Sequence, residues 1–299
     1  MTERQLWVQL YQLLMQAGKH HDRRRKQFGD AWIAIVYLWS VLHDRPVSWA
    51  CDPGNWRGEK LAPIRLPSPS TMSRRLNKCL GVRQLLQEAQ VISNQWFGPW
   101  LCYWIDSKPL TVSGVSKDRD ARFGRAAGAK AKGYRIHVLY NAAGAVIHWL
   151  LAPMNLGDAP AAAQLLKDVA VKQHCGQIPP MVGYSTGDNL YDAAALYDQF
   201  QSIGLHHVAP PRKTAKQLGH RPQSPQRLRG LDWVKRDFGQ NLLHARGGME
   251  RFFANATSFA GGMGPLPAWV RRPRRVSSWV SGKLLIDAVR RAQKQRLAA

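Results

Sequence analysis

The order of apolar and polar segments between residues 101 and 209 restricts the fold more than any other feature of the sequence. Residues 101–105 (LCYWI) are apolar on both alternating faces, as expected of a central strand covered by helices. Two further strand patterns, at 134–140 and 146–151, flank a hairpin-type turn at 141–144. Helix, strand, helix and strand patterns then alternate. This order predicts an α/β domain with a mixed sheet and helices on both faces.

An aspartate follows each of two strand patterns in this segment. Asp106 comes directly after residues 101–105, and Asp188 follows a second apolar run at 181–186. Two strands of one sheet can bring their ends together, so we expect the two aspartates to face each other. The alternative for either residue alone is an ordinary cap of the next turn or helix. Asp158 opens a helix pattern, and helix capping explains it.

The distribution of charge indicates a polyanionic partner. The chain has 43 Lys and Arg against 19 Asp and Glu, a net charge of +24. Residues 96–204 carry 10 basic and 8 acidic side chains, whereas residues 265–299 carry 9 and 1. A nearly neutral centre between basic flanks is typical of an enzyme core flanked by regions that bind DNA phosphates. A basic protein unrelated to nucleic acid is the alternative that charge alone leaves open.

Acidic residues that converge within so basic a chain favour a metal site. Magnesium prefers hard oxygen ligands, and two divalent ions can activate water and stabilise charge on an attacked phosphodiester. The four cysteines form no C-x-x-C pair, which excludes a zinc-finger pattern. With no signal-type apolar segment and no apolar run of membrane-spanning length, we expect a cytoplasmic protein with no membrane partner.

The flanking segments have simpler patterns. Residues 1–95 are predicted to form a helical DNA-binding domain, in which a short helix capped by Ser70 presents Ser73, Arg74 and Arg75 as a recognition helix would. An ordinary surface helix is the alternative. Residues 96–264 are predicted to form the catalytic domain, with a basic insertion at about 205–245 that either contacts DNA or is a solvated loop. Residues 265–299 form a basic helical tail that binds DNA or a second subunit, or closes the core.

Several motifs together resemble the catalytic core of DDE-type bacterial insertion-sequence transposases, in matching order over about residues 100–260. They are IDSKPL at 105–110, GYRIH at 133–137, Asn155 with Asp158, Gly187 and Asp188 followed by Tyr191 and Asp192, and Arg246 ahead of ERFF at 250–253. The element order is also that of a ribonuclease-H-like fold. The resemblance therefore implies a ribonuclease-H-like mixed sheet flanked by helices.

The resemblance also implies a function and a set of site residues. Asp106, Asp188 and Glu250, separated by 82 and 62 positions (188 − 106 and 250 − 188), would be catalytic and would bind Mg²⁺ or Mn²⁺, two ions per site. The protein would be a transposase that cuts DNA at the ends of its mobile element and joins the 3′-hydroxyl to target DNA. Residues expected to contact DNA are Arg246, Arg251, Lys213, Lys235, Arg236, Ser73, Arg74 and Arg75.

The implied partners are double-stranded DNA, as terminal inverted repeats and as target, and a second copy of the chain when two ends are paired. The implied location is the bacterial cytoplasm, associated with the nucleoid. The match departs from some of these transposases at Leu243 and Thr257, where they have Tyr and Lys. A non-catalytic DNA-binding regulator derived from a transposase, and a nuclease of the same fold without strand transfer, are therefore the alternatives.

Overall fold

A computed structural model describes residues 2–19, 27–78, 80–98, 100–212, 223–258 and 262–298. The chain divides into two compact units. The first comprises Met1–Phe97, Lys117–Asp120 and Asn255–Ala299, and the second comprises Gly98–Ser116 and Ala121–Ala254. The predicted boundary after residue 95 lies close to Phe97, and the C-terminal residues belong to the same unit as the N-terminal helices.

The second unit is built around a six-stranded mixed sheet. Its strands are β1 (Cys102–Thr111), β2 (Arg122–Ala126), β3 (Ala129–Asn141), β4 (Val146–Pro153), β5 (Gly183–Thr186) and β6 (Leu205–Val208). The order is β4-β3-β1-β5-β6, and β2 also pairs with β3. β1 is antiparallel to β3 and parallel to β5, and β5 is parallel to β6. This arrangement is ribonuclease-H-like and confirms the predicted fold class.

Helices cover both faces of this sheet, as the apolar character of β1 requires. They are α6 (Asp158–His174), α7 (Ala194–Ser202), α8 (Pro225–Val234), α9 (Asp237–Ala245) and α10 (Gly247–Ser258). On one face, Ile105 and Leu139 share a buried core with Leu165 of α6 and Phe200 of α7. On the other face, Tyr140 packs against Phe252 of α10, with ring centroids 4.5 Å apart. The side chains of β1 therefore alternate between two buried layers.

One strand prediction was wrong and one strand was not predicted. β1 does not end at Ile105 but continues through Asp106 to Thr111, and β2 is a further strand. The reason is β3, whose 13 residues pair with the whole of β1 up to Thr111 and with β2. Pro109, which has no N–H to donate, and the polar residues around it hide this continuation from any periodicity argument.

The first unit is helical. It contains α1 (Glu3–Gly18), α2 (Asp30–Leu42), α3 (Val47–Ala50), α4 (Pro69–Lys78), α5 (Leu80–Asn94) and α11 (Pro273–Ala298). α2 is apolar on all sides and almost entirely buried, as expected of a helix at the centre of a core. α11 packs against α1, α2 and α5, and it buries Trp279, Leu284 and Val289. The basic tail therefore closes the core of this unit.

The start of α4 differs from its prediction. Ser68 is the residue that caps the helix, because its hydroxyl accepts from the backbone N–H of Thr71 at 3.3 Å, and Ser70 lies inside the helix. Arg75 forms an ion pair with Asp30 and donates to the carbonyl of Phe28 at 2.7 Å, which leaves its side chain 12% exposed. Its guanidinium ties α4 to α2. None of the helices in the described ranges is long and apolar enough to cross a membrane.

Candidate active site

Two aspartates lie side by side where β1 runs parallel to β5. Trp104 pairs with Thr186, and Asp106 and Asp188 each lie two residues further along their own chain segment. Gly187 separates Asp188 from β5, and a Cβ at this position would lie 2.9 Å from Tyr191 and 3.1 Å from Ile105. A side chain at this position would therefore have to displace Tyr191 and press against Ile105 of β1. The structure thus brings the first two predicted site residues together.

Each aspartate is held by a backbone N–H. The carboxylate of Asp106 accepts from the N–H of Ser107 at 2.7 Å, and that of Asp188 accepts from the N–H of Leu190 at 2.8 Å. Asp188 in this way caps the short 3₁₀ helix Asn189–Tyr191. Asp188 can therefore cap this helix and also belong to the acidic pair. In both aspartates, these hydrogen bonds use only one of the two carboxylate oxygens.

The electrostatic environment of the pair opposes ionisation. Burial raises the pKa of Asp106 to about 6, and the charges of Asp188 and Asp158 act in the same direction. Burial also raises the pKa of Asp188, again assisted by Asp158. The positive charge of Arg246 lowers the pKa of both aspartates and only partly offsets these effects. Buried carboxylates that repel one another are stabilised by a bound cation.

Asp158 is a third acidic residue beside the pair, and helix capping does not explain it. Gly157 is the N-cap of α6, whereas the Asp158 carboxylate accepts from the hydroxyl of Ser107 at 2.6 Å and from Arg135 at 3.0 Å. Ser107 follows Asp106 on β1 and points to the opposite face of the sheet, where α6 lies. The sequence signal for this cluster is the alternation along β1, which the prediction of a shorter strand obscured.

Arg246 connects the pair with the third predicted carboxylate. Its guanidinium lies 3.7 Å from the carboxylate of Glu250, while its charge reaches both Asp106 and Asp188. The side chain of Glu250 is 71% exposed. Within the described ranges, no three His, Cys, Asp or Glu side chains are grouped closely enough to hold a metal ion. Arg246 therefore lies near the aspartate pair. Glu250 is linked to that pair only through Arg246.

α10, which carries Glu250, packs on the face of the sheet to which Trp104 and Asp106 point. Gly248 lies against the ring of Trp104, and a Cβ there would be 2.3 Å from a ring carbon. Gly248→Ala is therefore expected to displace the first turn of α10 and to lower the unfolding temperature by several degrees. Gly247→Ala is the matched control, because its Cβ would meet only the end of Arg251, at 3.7 Å.

The measurement for this pair of variants is thermal unfolding by circular dichroism, together with any DNA cleavage that the wild-type protein shows. Both substitutions add the same methyl group to adjacent positions of one helix, so helix propensity affects them alike. Equal unfolding temperatures for the two variants would mean that the contact of α10 with Trp104 does not hold the helix in place.

Asp192, which also belongs to the matched motifs, is engaged in an ion pair. Arg227 donates to both of its oxygens, at 2.8 and 2.9 Å, and the N–H of Arg212 donates at 3.1 Å. Burial alone would raise the pKa of Asp192, but these hydrogen bonds outweigh it and hold the pKa below its ordinary value. Such a carboxylate stabilises the fold around Arg227 and has no oxygen left for a metal.

The remaining residues predicted to contact DNA have varied environments. The described part of the insertion contains β6 and the two helices α8 and α9, and Trp233 of α8 packs against Tyr184 with ring centroids 5.6 Å apart. Lys235 and Arg236 are exposed in the turn between the two helices, and Arg236 pairs with Asp232. The exposed set also includes Arg251, Ser73 and Arg74. Lys213 lies outside the described residues.

The sheet order and the half-buried aspartate pair define a protein of the ribonuclease-H-like class. The chain belongs to the transposase DDE domain family, because residues 101–263, more than half of its length, match the model of that family. This confirms the predicted relationship. Among solved structures, the chain is similar to piggyBac transposase, determined by cryo-electron microscopy as a synaptic complex with hairpin DNA.

That similarity is distant. The sequence identity is 13% and the TM-score is 0.48, over 97% of this chain and 65% of the piggyBac chain. The chain thus spans somewhat less than two thirds of the length of that relative. The search of curated proteins returned no match.

Proposed function

We propose that this protein is a transposase that binds the ends of its mobile element and catalyses metal-dependent strand cleavage and strand transfer. The observation that carries the proposal is the pair Asp106 and Asp188, two half-buried carboxylates beside each other with raised pKa values. The family membership and the net charge of +24 support it. Its partners would be the terminal inverted repeats and the target DNA in the bacterial cytoplasm, with two copies of the chain pairing two ends.

The oxygen donors of the aspartate pair suit a divalent cation. Asp106, Asp188 and Glu250 offer hard oxygen donors, and the repulsion within the aspartate pair would be relieved by positive charge. Mg²⁺ or Mn²⁺, as two ions, would supply an activated water and stabilise charge on the attacked phosphate. Glu250 is the least supported of the three ligands, since its side chain is mostly exposed. Its ion pair with Arg246, whose charge reaches both aspartates, supports its inclusion.

The chain's own residues would position the DNA. Arg246, beside the acidic pair, would donate to a phosphate oxygen and hold the backbone in reach of the reacting centre. Ser107 and Arg135 fix Asp158 behind β1, so that the strand carrying Asp106 is held from the opposite face of the sheet. The exposed cations Arg251, Lys235 and Arg236 would neutralise flanking phosphates without reading sequence.

The proposal is tested by a cleavage and strand-transfer assay with Glu250→Gln. The substrates are duplexes made from the DNA on either side of the gene, incubated with Mg²⁺ and a target plasmid. We expect the variant to cleave and join at a rate at least about 100-fold below wild type, because a neutral amide binds a cation poorly. Asp237→Asn, at an exposed position on α9, is the control and should retain the wild-type rate.

The outcomes separate the three candidate functions. Binding of these duplexes without cleavage by the wild-type protein would favour the DNA-binding regulator. Cleavage without joining would favour the nuclease. Cleavage and joining by Glu250→Gln at the wild-type rate would exclude Glu250 from the site and refute the proposed set of three carboxylates.

A further inference from the structure

The first unit contains a cleft of about 240 Å³ between α4 and the beginning of α11. Residues from both helices line it. Those that carry the argument are Ser73 and Asn77 of α4, Arg275 and Ser278 of α11, and Trp269, which precedes α11. The wall thus combines hydroxyl, amide and guanidinium groups with a larger apolar part, to which Tyr37, Val47, Leu76 and Trp269 contribute.

The two sides of the cleft are fixed to each other although they are far apart in sequence. Arg274 donates to the backbone carbonyl of Asn77 at 2.6 Å, which joins the last turn of α4 to the first turn of α11. The hydroxyl of Ser278 is bonded within α11, to the carbonyl of Arg274 at 3.0 Å. The groups that face the cleft therefore have a defined spacing.

The rim of the cleft is cationic. Arg74 and Lys78 are exposed on the face of α4 that adjoins Ser73 and Asn77, since successive residues of a helix are rotated by about 100°. Arg274 and Arg275 are exposed on the α11 side. These four side chains bring together positive charge from two separate segments.

No Asp or Glu is among the described residues that line the cleft. In the same unit, Asp30 is paired with Arg75, and Asp118 and Asp120 are engaged by Arg272, whose N–H donates to Asp118 at 2.9 Å. Exposed cations on two helices, beside a cleft with polar and apolar groups, suit a partner that presents phosphates next to base edges.

We propose that α4 and the first turn of α11 together form a binding surface for duplex DNA. Arg275 contacts a phosphate, and Ser73 and Asn77 reach toward base edges from the cleft. This inference rests on the proposed function for its partner. It goes beyond the prediction of a lone recognition helix, because it assigns the start of the C-terminal helix to the same surface.

The test compares Arg275→Ala with Arg296→Ala. Both remove one exposed arginine from α11, and the 21 residues between them correspond to about 31 Å along the helix. Binding of a 30-base-pair duplex is measured without divalent metal, over a series of salt concentrations. We expect Arg275→Ala to weaken binding about tenfold at low salt and to reduce the slope of log affinity against log salt by about 1. Arg296→Ala should change the affinity by less than about twofold.

Arg275→Lys tests whether the loss comes from the charge or from a change in structure. It keeps the charge and should therefore keep the slope of log affinity against log salt. Equal losses for the alanine variants at 275 and 296, or no loss at 275, would overturn the composite surface. The same holds if Arg275→Lys loses the slope as fully as Arg275→Ala. Failure of the wild-type protein to bind duplex DNA at all would instead refute the proposed function.

Discussion

The Asp106→Asn protein is expected to lose strand cleavage by about 1000-fold and yet to be more stable than wild type in metal-free buffer at pH 7.5. The two effects have one cause. The site holds a carboxylate where burial and neighbouring negative charge disfavour it, and its pKa is raised to about 6. A charge that costs stability without metal is the same charge that would bind metal.

The pH dependence follows from the direction of this shift. An aspartate in an unfolded chain has a pKa of about 3.9, so the folded protein binds the proton more tightly than the unfolded chain does. Below about pH 4 both states are protonated and Asp106 costs nothing. Above about pH 6 both are ionised, and the cost of about 1 to 3 kcal/mol is fully present. The neutral amide of Asn removes that cost, so the gain in stability should appear as the pH rises from 4 to 6.

Thermal unfolding of wild type and Asp106→Asn, at pH 4 and 7.5, measures this effect. Addition of Mg²⁺ should then raise the unfolding temperature of the wild-type protein and leave that of Asp106→Asn nearly unchanged, because only the wild type gains binding energy. Asp237→Asn, at an exposed position, should behave as wild type in both respects. An equal response to Mg²⁺ in Asp106→Asn would show that the ion binds elsewhere.

The sheet could be predicted because its residues obey local rules. Residues 101–105 are apolar on both faces, and the hairpin and crossover patterns leave few ways to order the strands. The juxtaposition of Asp106 and Asp188 followed from the same reasoning, since both come after apolar runs of neighbouring strands. These features depend on periodicity over short segments, which is the information that a single sequence contains.

The parts that could not be predicted depend on contacts between distant segments. Residues 107–111 are strand because β3 pairs with them, not because of their own composition. Arg74 and Arg75 are adjacent and equally basic in the sequence. The two side chains point in different directions from α4, so Arg74 is exposed while Arg75 forms a buried ion pair with Asp30. Charge counts predict that a chain binds a polyanion, but they do not show which cations face it.

The ion pair of Asp158 with Arg135 also joins residues that are distant in the sequence. It allows a second prediction of large effect. Asp158→Asn is expected to destabilise the protein by about 3 kcal/mol, because the guanidinium of Arg135, only 16% exposed, would keep its charge without a carboxylate partner. The amide oxygen of Asn can still accept from Ser107, so that hydrogen bond does not account for the loss. Asp168→Asn is the control on the same helix, where the side chain is 38% exposed and the expected cost is below about 1 kcal/mol.

A double variant distinguishes a lost charge partner from a lost packing contact. In Asp158→Asn with Arg135→Gln, both charges are absent, and we expect at least half of the lost stability to return, because the penalty came from an unpaired buried charge. Urea unfolding of the four proteins in this cycle gives the coupling free energy. Additive losses would mean that Asp158 and Arg135 stabilise the sheet separately. In that case the unpaired charge of Arg135 would not be the source of the lost stability.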